Sequence, residues 1–125
     1  MSSEYFKSGL NKAKLGLHDE SIIEFEKAAW EDPGNFEIQF NLGTVYLTIG
    51  EFEQAIVNFT KALKIEPESS DALGNRAVAY VAIGEDIKAN IDKNSAIKFG
   101  APKDGINAIL DIVKEKRKGS SPFKT

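Results

Sequence analysis

A spacing of 34 residues runs through the chain and constrains its fold more than any other feature. Gly9, Gly43 and Ala77 stand 34 apart, as do Gly16, Gly50 and Gly84, then Ser21, Ala55 and Ala89, then Ala28, Ala62 and Ala96. Pro33 and Pro67 continue the series, with Ala101-Pro102 falling one residue late. A repeat of this length signals a helical solenoid, in which each repeat buries its apolar face against its neighbours. The residue types suit paired antiparallel helices. Gly43 and Ala55 let two helix backbones approach, while Leu42, Tyr46 and Phe59 fill the space around the contact. Gly16, Gly50 and Gly84 are placed to supply the left-handed residue that closes the first helix of each pair. Pro33 and Pro67 stop the second helix, because proline has no amide hydrogen and restricts the residue before it.

These positions resemble the tetratricopeptide repeat (TPR) family. The central repeat carries Leu42-Gly43, Tyr46, Ala55, Phe59, Ala62 and Pro67, with Gln39 where the leading tryptophan is usual. The first repeat has Tyr5, Gly9, Gly16, Phe25, Ala28 and Pro33, but Ser8, Lys12 and Ser21 where Leu, Tyr and Ala are usual. The third has Leu73, Ala77, Tyr80, Gly84, Ala89 and Ala96, and departs at Lys93, where Phe25 and Phe59 stand in the others. The resemblance implies an all-α fold, an α-solenoid of three TPR helix-turn-helix repeats over residues 2–35, 36–69 and 70–101, the last divergent. After the break at Gly100-Ala101-Pro102, the apolar residues Ile106, Ile109, Leu110 and Val113 recur at helical spacing, which predicts a capping helix within 102–118 packed on the third repeat. The alternative uses of that stripe are exchange onto a second copy or yielding its place to a ligand. Residues 119–125 have the composition of a disordered tail.

Chemistry is scarce in the sequence. With no cysteine, disulfides, thiolate metal sites and thiol nucleophiles are excluded. His18 is the sole histidine; the period aligns it with Phe52 and Asp86, which reads as a turn position rather than a metal or acid–base site. There is no phosphate-binding glycine loop and no nucleophile elbow. No catalytic residue, metal site or cofactor is expected, and the chain reads as a non-enzyme. The net charge of -3 argues against bulk affinity for nucleic acid. The one basic cluster, Lys114 to Lys118, is of a kind that can contact phosphates or acidic partners, but it fits better the solvated C-terminal end of a helix. No window approaches the roughly 18 apolar residues of a membrane span, and Met1 to Tyr5 carries no leader pattern, so the expectation is a cytoplasmic protein.

The resemblance also implies where a partner would bind. In the family the first helix of each repeat lines a concave groove, and the matching positions here are Phe6, Lys7, Leu10 and Lys14, then Phe40, Asn41 and Thr44, then Asn75 and Val78. Asn41 and Asn75 are equivalent, and each either bonds the main chain of an extended peptide or turns to a neighbouring helix carbonyl or water. Phe6, Leu10, Phe40 and Val78 form an apolar strip suited to a peptide or helix, unless Phe6 and Phe40 belong partly to the core. Chaperone-binding members grip a C-terminal carboxylate with lysine, asparagine, asparagine, lysine and arginine. Here only Asn41 remains, the other four positions holding Phe6, Leu10, Asp71 and Asn75. The sequence thus points to a protein-interaction module, a scaffold or adaptor for a peptide or helix of another protein, without a carboxylate clamp. The alternative is a self-association module forming homo-oligomers through the cap helix or a solenoid end.

Overall fold

The computed structural model describes residues 2–119, and all regular structure among them is α-helical. The helices are α1 (Ser2–Lys14), α2 (His18–Glu31), α3 (Phe36–Thr48), α4 (Phe52–Ile65), α5 (Ser70–Ala82), α6 (Asp86–Lys98) and α7 (Lys103–Gly119). They divide into two compact units, Met1–Pro67 with α1 to α4 and Glu68–Thr125 with α5 to α7.

Three turns close in the same way. Gly16, Gly50 and Gly84 take φ of +76°, +80° and +85°, a region open to glycine and costly for other residues. Each is flanked by a pair of bonds that satisfies the last carbonyls of the helix. At the second turn Gly50 N donates to Leu47 O at 3.2 Å and Glu51 N to Tyr46 O at 2.9 Å. The new helix begins one residue later, so His18, with Phe52 and Asp86, opens a helix rather than sitting in a turn. Pro33 and Pro67 follow the C-caps Asp32 and Glu66. Asn35 and Ser69 then cap α3 and α5 by accepting from Ile38 N and Ala72 N, each satisfying an otherwise orphaned amide.

In the first unit α1 packs on α2 and α3 on α4, and α2 joins the pairs through α3. Phe25, Ala28, Ile38, Leu42 and Val45 form the buried centre, with Phe6, Leu10 and Tyr46 packed around it. The Tyr46 hydroxyl donates to Glu26 at 3.3 Å; its pKa is raised by burial and by the Glu26 charge. Glycine lets the pairs close: a Cβ on Gly9 would lie 2.5 Å from the Phe25 ring. The outer face of α2 is less tidy. It carries the sole tryptophan, Trp30, 87% exposed.

Where the central repeat has Gln39 for tryptophan, an amide chain replaces ring packing. Gln54 Nε2 donates to Asn58 Oδ1, and Asn58 Nδ2 donates to the buried Gln39 Oε1, both at 3.0 Å. The second unit reuses only the Asn58 position, filled by Asp92, for an ion pair with a different partner position. Arg76 lies 34 residues after Leu42 and Asp92 34 after Asn58; the guanidinium meets the carboxylate with two bonds, Nε at 2.7 Å and Nη2 at 2.8 Å. Asp92 is 3% exposed while Arg76 is part-exposed, so a buried carboxylate is held in a bidentate pair, and its hydrogen bonds hold Arg76 more firmly protonated than usual.

Also within the second unit, α5 packs on α6 and on α7. The face that α7 buries differs from the expected stripe. Ile106 and Leu110 are buried and Val113 half-buried, but Ile109 is 51% exposed, and the row continues instead through Arg117. That guanidinium donates to Val81 O at 2.6 Å and to Asp86 Oδ1 at 2.9 Å, tying α7 to the end of α5 and the start of α6. The basic cluster is therefore not wholly a solvated helix end: Arg117 is held, and the Arg117 bond and charge lower the Asp86 pKa. Of the expected tail, Gly119 is the last residue of α7, and residues 120–125 lie outside the described residues.

Candidate partner-binding surfaces

In the first unit the candidate residues sort into two groups. Lys7 and Lys14 are exposed. Phe6 and Leu10 are only partly so, because both pack on the core; the Phe6 ring sits 5.8 Å from that of Phe25 at a tilt of 48°. Phe40 is likewise shared between surface and core. It stacks on Phe36 at 5.6 Å and tilts against Phe59 at 5.9 Å, both ordinary aromatic geometries.

The polar candidates of α3 turn partly inward on their own helix. Asn41 Nδ2 donates to Glu37 O at 2.7 Å and Thr44 Oγ1 to Phe40 O at 2.9 Å. The neighbouring-carbonyl alternative thus holds for Asn41 Nδ2, while Asn41 Oδ1 has no partner among the described residues and remains able to accept.

In the second unit Asn75 and Val78 come together at a hollow of about 270 Å³ between α5 and the start of α7. Its wall is mostly apolar, with Gly74 and Val78 from α5 facing Pro102, Gly105 and Ile106. Asn75 makes no hydrogen bond among the described residues, so both its amide groups are uncommitted. This hollow was not among the expected sites. Its signal in the sequence is Gly74, 34 residues after Phe40 and 68 after Phe6: a glycine where the other repeats carry a ring.

Among the described residues, no group of three or more His, Asp or Glu side chains is placed to hold a metal ion, and no helix is long and apolar enough to cross a membrane. Two buried side-chain atoms lack a hydrogen bond, His18 Nδ1 and Glu24 Oε2, the latter 3.9 Å from Lys27 Nζ.

Residues 36–69 match the model of the Tetratricopeptide repeat family. Those residues carry a tetratricopeptide repeat, and the fold of the chain is the all-α solenoid class of helical repeats. Similar solved structures include the first TPR of Spaghetti (RPAP3) bound to the HSP90 peptide SRMEEVD, at a TM-score of 0.83 and 19% identity over 92% of this chain and 91% of that one. The second TPR domain of human RPAP3 in complex with the HSP70 peptide SGPTIEEVD gives 0.81 and 19% over 91% and 98%. The Arabidopsis OM64 TPR domain gives 0.78 and 18% over 96% of each chain. At these identities the likeness is one of fold alone. A comparison with curated proteins finds no match to the chain's sequence.

Proposed function

We propose that the protein is an interaction module that binds an extended peptide or a helix of a partner protein through the first helices of its repeats. The observation that carries this reading is the unspent hydrogen-bonding capacity on the first helices of both units, Asn41 Oδ1 in the first and the whole Asn75 amide, beside the apolar Val78, in the second. A peptide main chain needs a donor and an acceptor at each step, and an amide side chain supplies both. Apolar neighbours exclude water from those bonds and receive side chains. That two proteins of the same fold are seen with bound peptides adds support from architecture.

The charge of the partner differs in this proposal from that of the acidic peptides bound by those two proteins. Phe6, Leu10, Asp71 and Asn75 stand where a carboxylate clamp needs cations and an amide, so an acidic C-terminus finds nothing to pair with at these positions. The role is that of a scaffold or adaptor in the cytoplasm, without cofactor or catalysis.

The test is a binding selection from a random peptide library, followed by calorimetry of the selected peptide on the full chain and on Asn41→Ala/Asn75→Ala. A tenfold or larger loss with an unchanged circular dichroism spectrum is expected; equal affinity rejects the reading. A second reading, self-association, is favoured by the exposed Ile109 and Ile112 of α7. A sedimentation coefficient independent of concentration from micromolar to near-millimolar excludes it.

A further inference from the structure

The hollow of the second unit is where the periodic sequence leaves a side chain out. In the first two repeats the equivalent rings, Phe6 and Phe40, pack 5.8 and 5.9 Å from Phe25 and Phe59. In the third, Gly74 replaces the first ring and Lys93 the second. Neither Gly74 nor Gly105, which faces the same space from α7, is demanded by packing. A Cβ at Gly74 would meet Ile106 Cδ1 at 3.6 Å and one at Gly105 would meet Pro102 Cβ at 3.7 Å, both ordinary contacts. Both glycines lie within helices, where alanine is the better residue. Helix stability is thus forgone at two positions that open on one space.

We propose that this hollow receives an aromatic side chain of a partner peptide, which fills from outside the volume that Phe6 and Phe40 fill from within the other repeats. Two groups at the rim define what flanks the ring. Asn75, uncommitted, bonds the peptide main chain. Asp71 is the sole ionisable side chain of the lining, so charge complementarity places a lysine or arginine next to the ring. The inference rests on the peptide-binding reading above and narrows it to one socket with one preferred chemistry.

The test uses the isotope-labelled full chain and three acetylated, amidated hexapeptides. One has a central phenylalanine flanked by lysines, one has alanine for that phenylalanine, and one has glutamates for the lysines. The first is expected to shift the amide resonances of Gly74, Asn75 and Gly105 saturably, and the other two to bind at least tenfold more weakly. Gly74→Leu fills the hollow from inside and should abolish the response. Gly74→Ala, whose methyl clears Ile106, should weaken it with the helix intact, which keeps the test valid if leucine unfolds the chain. Equal affinity for the phenylalanine and alanine peptides, no saturable shift below millimolar, or undiminished binding to both variants overturns the proposal. Shifts confined to α1 and α3 overturn the socket but leave the peptide-binding function standing; no shift anywhere rejects both. If Gly74→Leu instead abolishes self-association seen without peptide, the occupant is a second copy and the proposal is wrong.

Discussion

The Phe59 ring lies where a side chain on Gly43 would have to be: a Cβ there would come within 2.7 Å of it. Gly9 and Phe25 repeat the relationship, and in the third pair both members change, to Ala77 and Lys93. Gly43→Ala should therefore force the ring aside and destabilise the protein by about 1–3 kcal/mol, the usual range for overpacking. Gly74→Ala should do the reverse, because its Cβ has room and the helix gains up to about 1 kcal/mol. Urea unfolding of the two variants checks both signs.

The Arg76–Asp92 pair should be worth far more to break than to replace. Arg76→Leu leaves a carboxylate in a site 3% exposed, and the expected loss is about 3–5 kcal/mol. Arg76→Leu with Asp92→Leu removes both charges and should recover most of that loss, since Leu42 already stands at the position matching Arg76. Equal stability of the single and double variants would contradict this account.

The buried amide chain supplies a milder version of the same test. Asn58→Ala strands Gln39 Oε1, for which an unsatisfied buried acceptor predicts a loss of about 1–3 kcal/mol. The exposed end of the chain, Gln54, should tolerate alanine with a smaller loss, because its bond to Asn58 is only part-buried and water can take its place there.

Acid should loosen α7. The Arg117 bond and charge lower the Asp86 pKa, so the folded state holds this proton less tightly than the unfolded chain does. The pairing contributes in full above the ordinary aspartate range, about pH 4, and is lost as the pH falls through the lowered value. The stability difference between the protein and Asp86→Asn should accordingly shrink below about pH 4. Thermal unfolding from pH 7 to pH 3 measures it, and a difference that grows on acidification would show that the pairing is not the cause.

An acidic peptide amide and its free-carboxylate form should bind alike and weakly. The clamp positions hold Phe6, Leu10, Asp71 and Asn75, which offer no cation to a carboxylate. Calorimetry that finds micromolar affinity, lost on amidation, would restore a carboxylate clamp.

The helices were readable because small residues, glycines and prolines recur at fixed intervals, and each acts locally. Gly50 needs only its own φ, and Pro67 only its missing amide hydrogen. The contacts of α7 were harder. Ile109 and Val113 look equivalent in a stripe, yet Ile109 is left half outside while Arg117, which reads as a solvated charge, reaches two elements. Long side chains choose partners far along the chain, and spacing on one helix does not encode those choices. The polar pairs were not read from the sequence: Gln39 stood out only as the residue in place of tryptophan, and the partners it and Asp92 find lie 19 and 16 residues away on a neighbouring helix. The hollow escaped because it consists of absent atoms, and Gly74 looks like one more small residue until it is set beside Phe6 and Phe40.

Trp30 has a practical consequence for anyone following this protein by light. Its indole already faces water in the folded chain, so its emission has little to lose on unfolding and is a poor gauge of stability. The same exposure makes it a clean optical reporter, with no second tryptophan to obscure it, of whatever comes to rest on the outer face of α2. A blue shift at constant fold would locate a contact on that face, and a silent indole during partner binding would place the contact elsewhere.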